Sequence, residues 1–188
     1  MRIALLLVLA GAVTGGTLGA LAAGGGSDDK RAAVARFGVR VENALIAASL
    51  GQPVGTGFLV LPELGESVAQ FQGGDLGVKE LRDGAEDWRA RATEGADAID
   101  AIRAPNPQLA EAAIRMSQAL RLYSSLARSV RIATGLDEEE QAALIETVFE
   151  QLTVVAGQFD GGWQQLQAER TRVGIELVPA APAPFPSG

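Results

Sequence analysis

From Val78 to Ile102, apolar and small residues recur at alternating spacings of three and four: Val78, Leu81, Ala85, Trp88, Ala92, Gly95, Ile99 and Ile102. Leu109, Ala113, Met116, Leu120, Tyr123, Ala127 and Val130 repeat the pattern. That spacing holds side chains on one stripe of a helix, whereas a strand requires a period of two. Two such seams, separated only by Ala104-Pro105-Asn106-Pro107, leave few folds open. The helices must run antiparallel, and further apolar stripes must cover them. Ala92 and Gly95 are small enough to let a neighbouring backbone approach.

Two more stretches supply the cover. The first runs from about Asp28 to Leu50, with Val34, Phe37, Val41, Leu45 and Ala48 inward, Asp28 or Asp29 as the cap, and Gly51-Gln52-Pro53 as the stop. The last starts at Asp137 as N-cap, with Glu140 three residues on. Its inward residues are Leu144, Val148, Leu152, Val155, Phe159, Trp163 and Leu166, and it fades near Gly174. Gly157, Gly161 and Gly162 are expected to bend it. Gly135 is expected to end the third helix as its C-cap. A shorter helix, Pro62 to Gln72, places Leu64, Val68 and Phe71 inward, and Asp75 can cap the helix that follows. Residues 51–62 read as a connection whose run Phe58-Leu59-Val60-Leu61 packs across a bundle end, or faces a membrane or partner. The predicted fold is all-α: an antiparallel up-down-up-down four-helix bundle. Composition agrees, because apolar residues are 47% and aromatics only 5%, suiting close-packed helices better than a strand sandwich.

Ahead of these helices, Ile3–Ala23 carries no charge and follows Met1-Arg2. A short basic start, an apolar core at Ile3–Ala10 and the small residues of Ala20-Leu21-Ala22 describe a signal peptide cleaved before Ala23. The stretch also has 21 residues, enough to span a bilayer, and Gly11, Gly15 and Gly19 give two GxxxG spacings of a packed membrane helix. Residues 1–23 are therefore a signal peptide or a transmembrane anchor, with membrane attachment through residues 3–23 only if they are retained. Lys30, Arg31, Arg36 and Arg40 after the apolar stretch argue for a cytoplasmic domain on a strict basic-residue count. The signal-like layout and the intervening Asp28 and Asp29 favour export, to the periplasmic or extracellular face. The remaining boundaries are a Gly-rich joint at 24–27, the helical domain at 28–176 and a Pro-rich disordered tail at 177–188.

The chain has no histidine and no cysteine. That removes Ser–His and Cys–His nucleophiles, the usual zinc sites, disulfides and a lipid-modified cysteine. Without residues 1–22, which contain one basic side chain, 15 basic and 23 acidic residues leave a net charge of −8, unsuited to nucleic acid. No phosphate-binding GxxxxGK[ST] or calcium-loop pattern occurs. Asp83, Glu86 and Asp87, then Glu94, Asp97 and Asp100, read as a solvated acidic face; the alternative is a row of oxygen ligands for a divalent cation. Arg115, Arg121, Arg128 and Arg131 read as ion-pair partners, or as receivers of an anionic ligand. Trp88 and Trp163 read as core, or as an aromatic wall. Tyr123 reads as core with its hydroxyl reaching a polar partner.

No catalytic, cofactor-binding or metal-binding residue is expected. The candidates for ligand contact are Arg115, Arg121 and Trp88. The function expected is a non-catalytic interaction or accessory subunit of the cell envelope, with a protein partner or self-association. The alternative is an extracytoplasmic ligand-binding or sensing bundle that acts through a partner. A carboxylate-dependent hydrolase ranks below both, because acids in rows on helix faces do not converge across a cleft.

Overall fold

A computed structural model describes residues 26–54 and 57–176. Among these are five helices and one hairpin: α1 Ser27–Ala47, β1 Gly51–Val54, β2 Gly57–Val60, α2 Pro62–Gly73, α3 Val78–Asp100, α4 Pro107–Ala133 and α5 Glu138–Arg172. The chain is mostly helical, as its periodicity requires. The apolar segment at 1–23 and the tail at 177–188 lie outside the described residues.

Helix ends follow local chemistry. Asn106 Oδ1 accepts the Leu109 N–H at 2.8 Å, and Pro107 opens α4 where its missing N–H is harmless. Asp137 Oδ1 accepts the Glu140 N–H at 3.0 Å and caps α5. Three expected ends differ. Asp28 and Asp29 sit inside the first turn of α1, which begins at Ser27, so they act on the helix dipole rather than as caps. Gly77, not Asp75, is the N-cap of α3, and its N–H is held by Glu80 Oε2 at 2.9 Å. Gly135 does not take a left-handed C-cap conformation. Side chains do that work instead: Arg82 donates through Nε to Thr134 Oγ1 and through a terminal nitrogen to the Thr134 carbonyl, and Gln141 donates to the Ala133 carbonyl.

The long helices alternate in direction. Arg82 meets Thr134 while Arg121 reaches Asp97 and Asp100, so α3 and α4 run antiparallel. Gln141 meets the end of α4 and Glu169 accepts from Asn106 at its start, so α4 and α5 also run antiparallel. Helices α1 and α2 each lie against both α3 and α5. Buried residues of all five helices form one core. Val78, expected inward, is exposed at the mouth of α3, and Ile145 is buried where Leu144 is only half-buried.

Glycines mark the closest approaches. A Cβ on Gly95 would strike Leu50, and one on Gly162 would lie 2.9 Å from the Ala112 carbonyl oxygen. α5 is continuous for 35 residues, about 52 Å, through Gly157, Gly161 and Gly162, and at Gly162 the backbone of α4 comes close.

Residues 51–62 do not cross a bundle end. Gly51–Val54 and Gly57–Val60 pair antiparallel, Gly51 with Val60 and Val54 with Gly57. The hairpin rests against the middle of α5, where Phe58 packs 6.0 Å from Phe159 and 5.1 Å from Trp163 by ring centroids. Phe58 and Val60 turn inward while Leu59 turns out, a period of two inside a helical protein. The chain leaves the hairpin through Leu61, a buried residue at φ 44°, ψ 52°. That left-handed conformation costs a non-glycine residue about 1–2 kcal/mol. Burial of its side chain and a 2.7 Å bond from its N–H to the Leu50 carbonyl hold it.

Candidate functional site

Where β2 lies along α5, two adjoining concavities of about 430 and 250 Å3 share Val60, Tyr123 and Ala156. Together they make a groove. One wall is β2 and the start of α2. The other is the face of α5 that carries Phe149, Leu152, Thr153, Ala156, Gly157 and Asp160, spaced by three and four residues. Small residues keep it open: a Cβ on Gly157 or Gly65 would meet nothing within 4 Å. Its rim is apolar, with Leu59 49% and Phe149 46% exposed. Single exposed apolar residues are ordinary; here two of them rim one concavity.

Tyr123 lines both concavities, and its residue is only 4% exposed. Burial pushes its phenol up to about 12, so the hydroxyl stays protonated and is a hydrogen-bond donor near neutral pH. No described residue bonds to it, contrary to the partner its place in the seam suggested. The β2 edge adds backbone groups. Because the Leu61 N–H bonds the Leu50 carbonyl in the same register, alternation along the ladder turns the N–H and C=O of Phe58 and Val60 to the outer edge. Among the described residues β2 lines the groove, so these groups border it.

Among the described residues Asp160 is the one carboxylate in its lining, with no second acid across the groove from it. Among the described residues no group of three or more acids is disposed to hold a metal ion.

The three residues singled out from sequence lie elsewhere. Arg115 pairs with Glu111 at 2.6 Å along α4. Arg121 pairs with Asp97 at 2.9 Å and Asp100 at 2.7 Å on α3, which raises its pKa, chiefly through the Asp100 bond. Trp88 is buried, with its ring lying over Gly84. None of the three lines the groove. The acidic rows of α3 also find partners: Glu86 binds Arg89 and Arg131, and Asp87 binds Arg91. Sequence reading missed the groove itself. Its signals were the inward-outward-inward order of Phe58-Leu59-Val60 and a tyrosine in an otherwise aliphatic seam.

Compared with protein-family models, curated proteins and solved structures, the chain has no significant match.

Proposed function

We propose that this chain is an exported, non-catalytic helical module that works by protein contact, and that the groove between β2 and α5 is its docking face. The observation that carries the reading is a concavity in which exposed Leu59 and Phe149 rim a mostly apolar lining, whereas the other exposed apolar side chains, such as Ile46 and Ile114, line neither of its two parts. Export rests on the uncharged stretch Ile3–Ala23 behind Arg2. No helix among the described residues is long and apolar enough to cross a membrane. The architecture fits an up-down-up-down four-helix arrangement in which α1 and α2, each lying against α3 and α5, share the first row.

A photoreactive residue placed in cells at Phe149, with a control at Asp83 on the ion-paired face of α3, tests the contact. A discrete protein adduct from Phe149 that is absent from Asp83 supports the reading. Equal labelling at both positions, or none, defeats it. Intact mass of the chain from membrane and soluble fractions tests export: a start at Ala23 or an intact membrane-bound Met1 supports it, and an intact chain in the cytosol opposes it.

A further inference from the structure

We infer that the groove takes an extended peptide segment of a partner protein, which adds to β2 as a third, antiparallel strand and carries a basic residue to Asp160. The inference rests on the reading of the groove as a docking face and names the chemistry of what docks there.

The hairpin backbone supplies the first argument. The Leu61 N–H bonds the Leu50 carbonyl, so Gly57, Leu59 and Leu61 face β1. Pro53, opposite Phe58, sits where the ladder asks no N–H of it, which fixes the same phase. Phe58 and Val60 therefore each turn one N–H and one C=O outward, and among the described residues nothing bonds these four groups. An open strand edge is a template for another strand unless it is guarded. The outer edge of β1 is guarded, because Pro53 lacks the N–H that a third strand would need there. The outer edge of β2 carries no proline and no charge, and it opens on the groove.

The lining asks for both kinds of hydrogen-bonding group. Its donors are the Phe58 and Val60 N–H groups and the Tyr123 hydroxyl; its acceptors are the carbonyls of the same two residues and the Asp160 carboxylate. A peptide strand alternates donors and acceptors at the same repeat. One residue opposite Phe58 and one opposite Val60 complete all four backbone bonds. An acyl chain would complete none of them, and a segment without N–H groups only half. Side chains at those two positions point as Phe58 and Val60 do, inward over α5. Ala156 and Gly157 leave room for them, so the segment carries apolar residues two apart. Length agrees: Phe149 to Asp160 is ~16 Å of helix, about five residues of strand.

Charge fixes the remaining feature. Asp160 is the one charged side chain in either lining, and its carboxylate accepts from the Gln164 amide with no basic partner among the described residues. Gly57 lines one concavity with Asp160, and Leu61 lines the other with Phe149. An antiparallel strand thus runs from Phe149 toward Asp160 and meets the carboxylate near its C-terminal end, where lysine or arginine suits it. The net charge of −7 draws a basic segment from a distance as well. A second copy of this chain does not fit. The inward face of its β2 already rests on its own α5, through Phe58 on Phe159 and Trp163, and cannot also rest on this one.

The test uses the full chain and two capped heptapeptides that alternate valine with threonine, one ending in lysine and the other in glutamine. With the lysine peptide at about ten times its Kd, exchange of the Phe58 and Val60 amides should slow about ten-fold, while the Leu59 amide, already paired within the hairpin, keeps its rate. N-methylation of the valines, whose side chains enter the groove and whose N–H groups face β2, should abolish binding; N-methylation of the threonines should leave it within about two-fold. Gly157→Trp, which fills open space without a clash, should weaken binding about ten-fold. Asp160→Asn should weaken the lysine peptide about three-fold and leave the glutamine peptide unchanged. Binding that survives valine methylation, or that leaves the Phe58 and Val60 amides unprotected, overturns strand addition and leaves the groove a docking face. Failure of both peptides to bind at about 1 mM overturns strand addition alone if the Phe149 adduct forms in cells, and both readings if it does not.

Discussion

Replacing Gly38 with alanine sets two effects of opposite sign against each other. Alanine in a helix interior is worth about 1 kcal/mol over glycine, mainly through the entropy of the unfolded chain. At Gly38, however, an added Cβ would fall 2.6 Å or less from the guanidinium of Arg170. That group is the end of a flexible side chain, which ordinarily would move aside. Here it is held: the Arg170 side chain is 12% exposed, and it donates to Glu42 at 2.6 Å and to Gln167 at 3.4 Å. Its Nε is buried with no partner, so the guanidinium has already given up water to lie in the glycine notch. Displacing it breaks the bond that ties α1 to α5. A charge-assisted hydrogen bond in a largely buried setting is worth roughly 1.5–3 kcal/mol. The loss exceeds the helix gain, and the net expectation is destabilisation by about 1 kcal/mol.

Urea unfolding followed by circular dichroism measures this directly. At a typical slope of roughly 1–3 kcal/mol per molar, the midpoint should fall by about 0.3–1 M. Gly157→Ala is the matched control, since its Cβ meets open space, and its midpoint should rise. Arg170→Ala in the Gly38→Ala background should then cost less than Arg170→Ala alone, because the contact is already broken. If Gly38→Ala stabilises as much as Gly157→Ala, the notch does not constrain Arg170 and the argument for how α1 is held is wrong.

Tyr123 is the single tyrosine, so its ionisation can be followed by ultraviolet absorbance, with an expected midpoint of about 12; a midpoint near the ordinary 10.0 would mean the ring is not buried. Because the folded state keeps the phenol protonated while the unfolded state loses its proton from about pH 10, stability should fall between pH 10 and 12. Tyr123→Phe should remove that part of the decline. Asn106→Ala should cost about 1–2 kcal/mol in thermal or urea unfolding, because the side chain caps α4 through Leu109 and donates to Glu169 at 3.3 Å; an effect under ~0.3 kcal/mol would show the cap to be idle. Gly51→Ala should unfold the hairpin locally, since the backbone sits at φ 141° and a Cβ would strike the Leu59 carbonyl oxygen. Faster amide exchange at Leu61, with protection of the α4 amides unchanged, is the expected readout. Arg121→Ala should change stability by less than about 1 kcal/mol despite two ion pairs, because the pairs are exposed.

The helices were legible because their signal is local and repetitive. The seams at Leu81–Ile99 and Leu109–Val130 name buried residues almost one for one, and Asn106-Pro107 and Asp137 mark helix starts by chemistry contained within four residues. Reading failed where a local cue had a distant competitor. Gly135 is a plausible C-cap until Arg82, remote in sequence, takes the Thr134 carbonyl and hydroxyl and Gln141 takes the Ala133 carbonyl. The glycines of α5 look like weak points until Ala112 and Met116 are seen against Gly162. Arg115 and Arg121 read first as ion-pair partners and Trp88 as core, and the structure holds them so; as ligand contacts they rest on residue type alone.

The amino-acid sequence alone determined that the chain is helical, where its long helices run, which faces they bury, and that histidine and cysteine chemistry is absent. Those properties depend on spacing and composition, which survive without knowledge of any neighbour. The tertiary structure decided the hairpin at 51–60, the left-handed Leu61, the notch for Arg170 and the groove floored by Tyr123. Each of these is a relation between residues far apart in the chain. A groove is the space two elements leave unfilled, and no stretch of sequence encodes a space until both of its walls are in place.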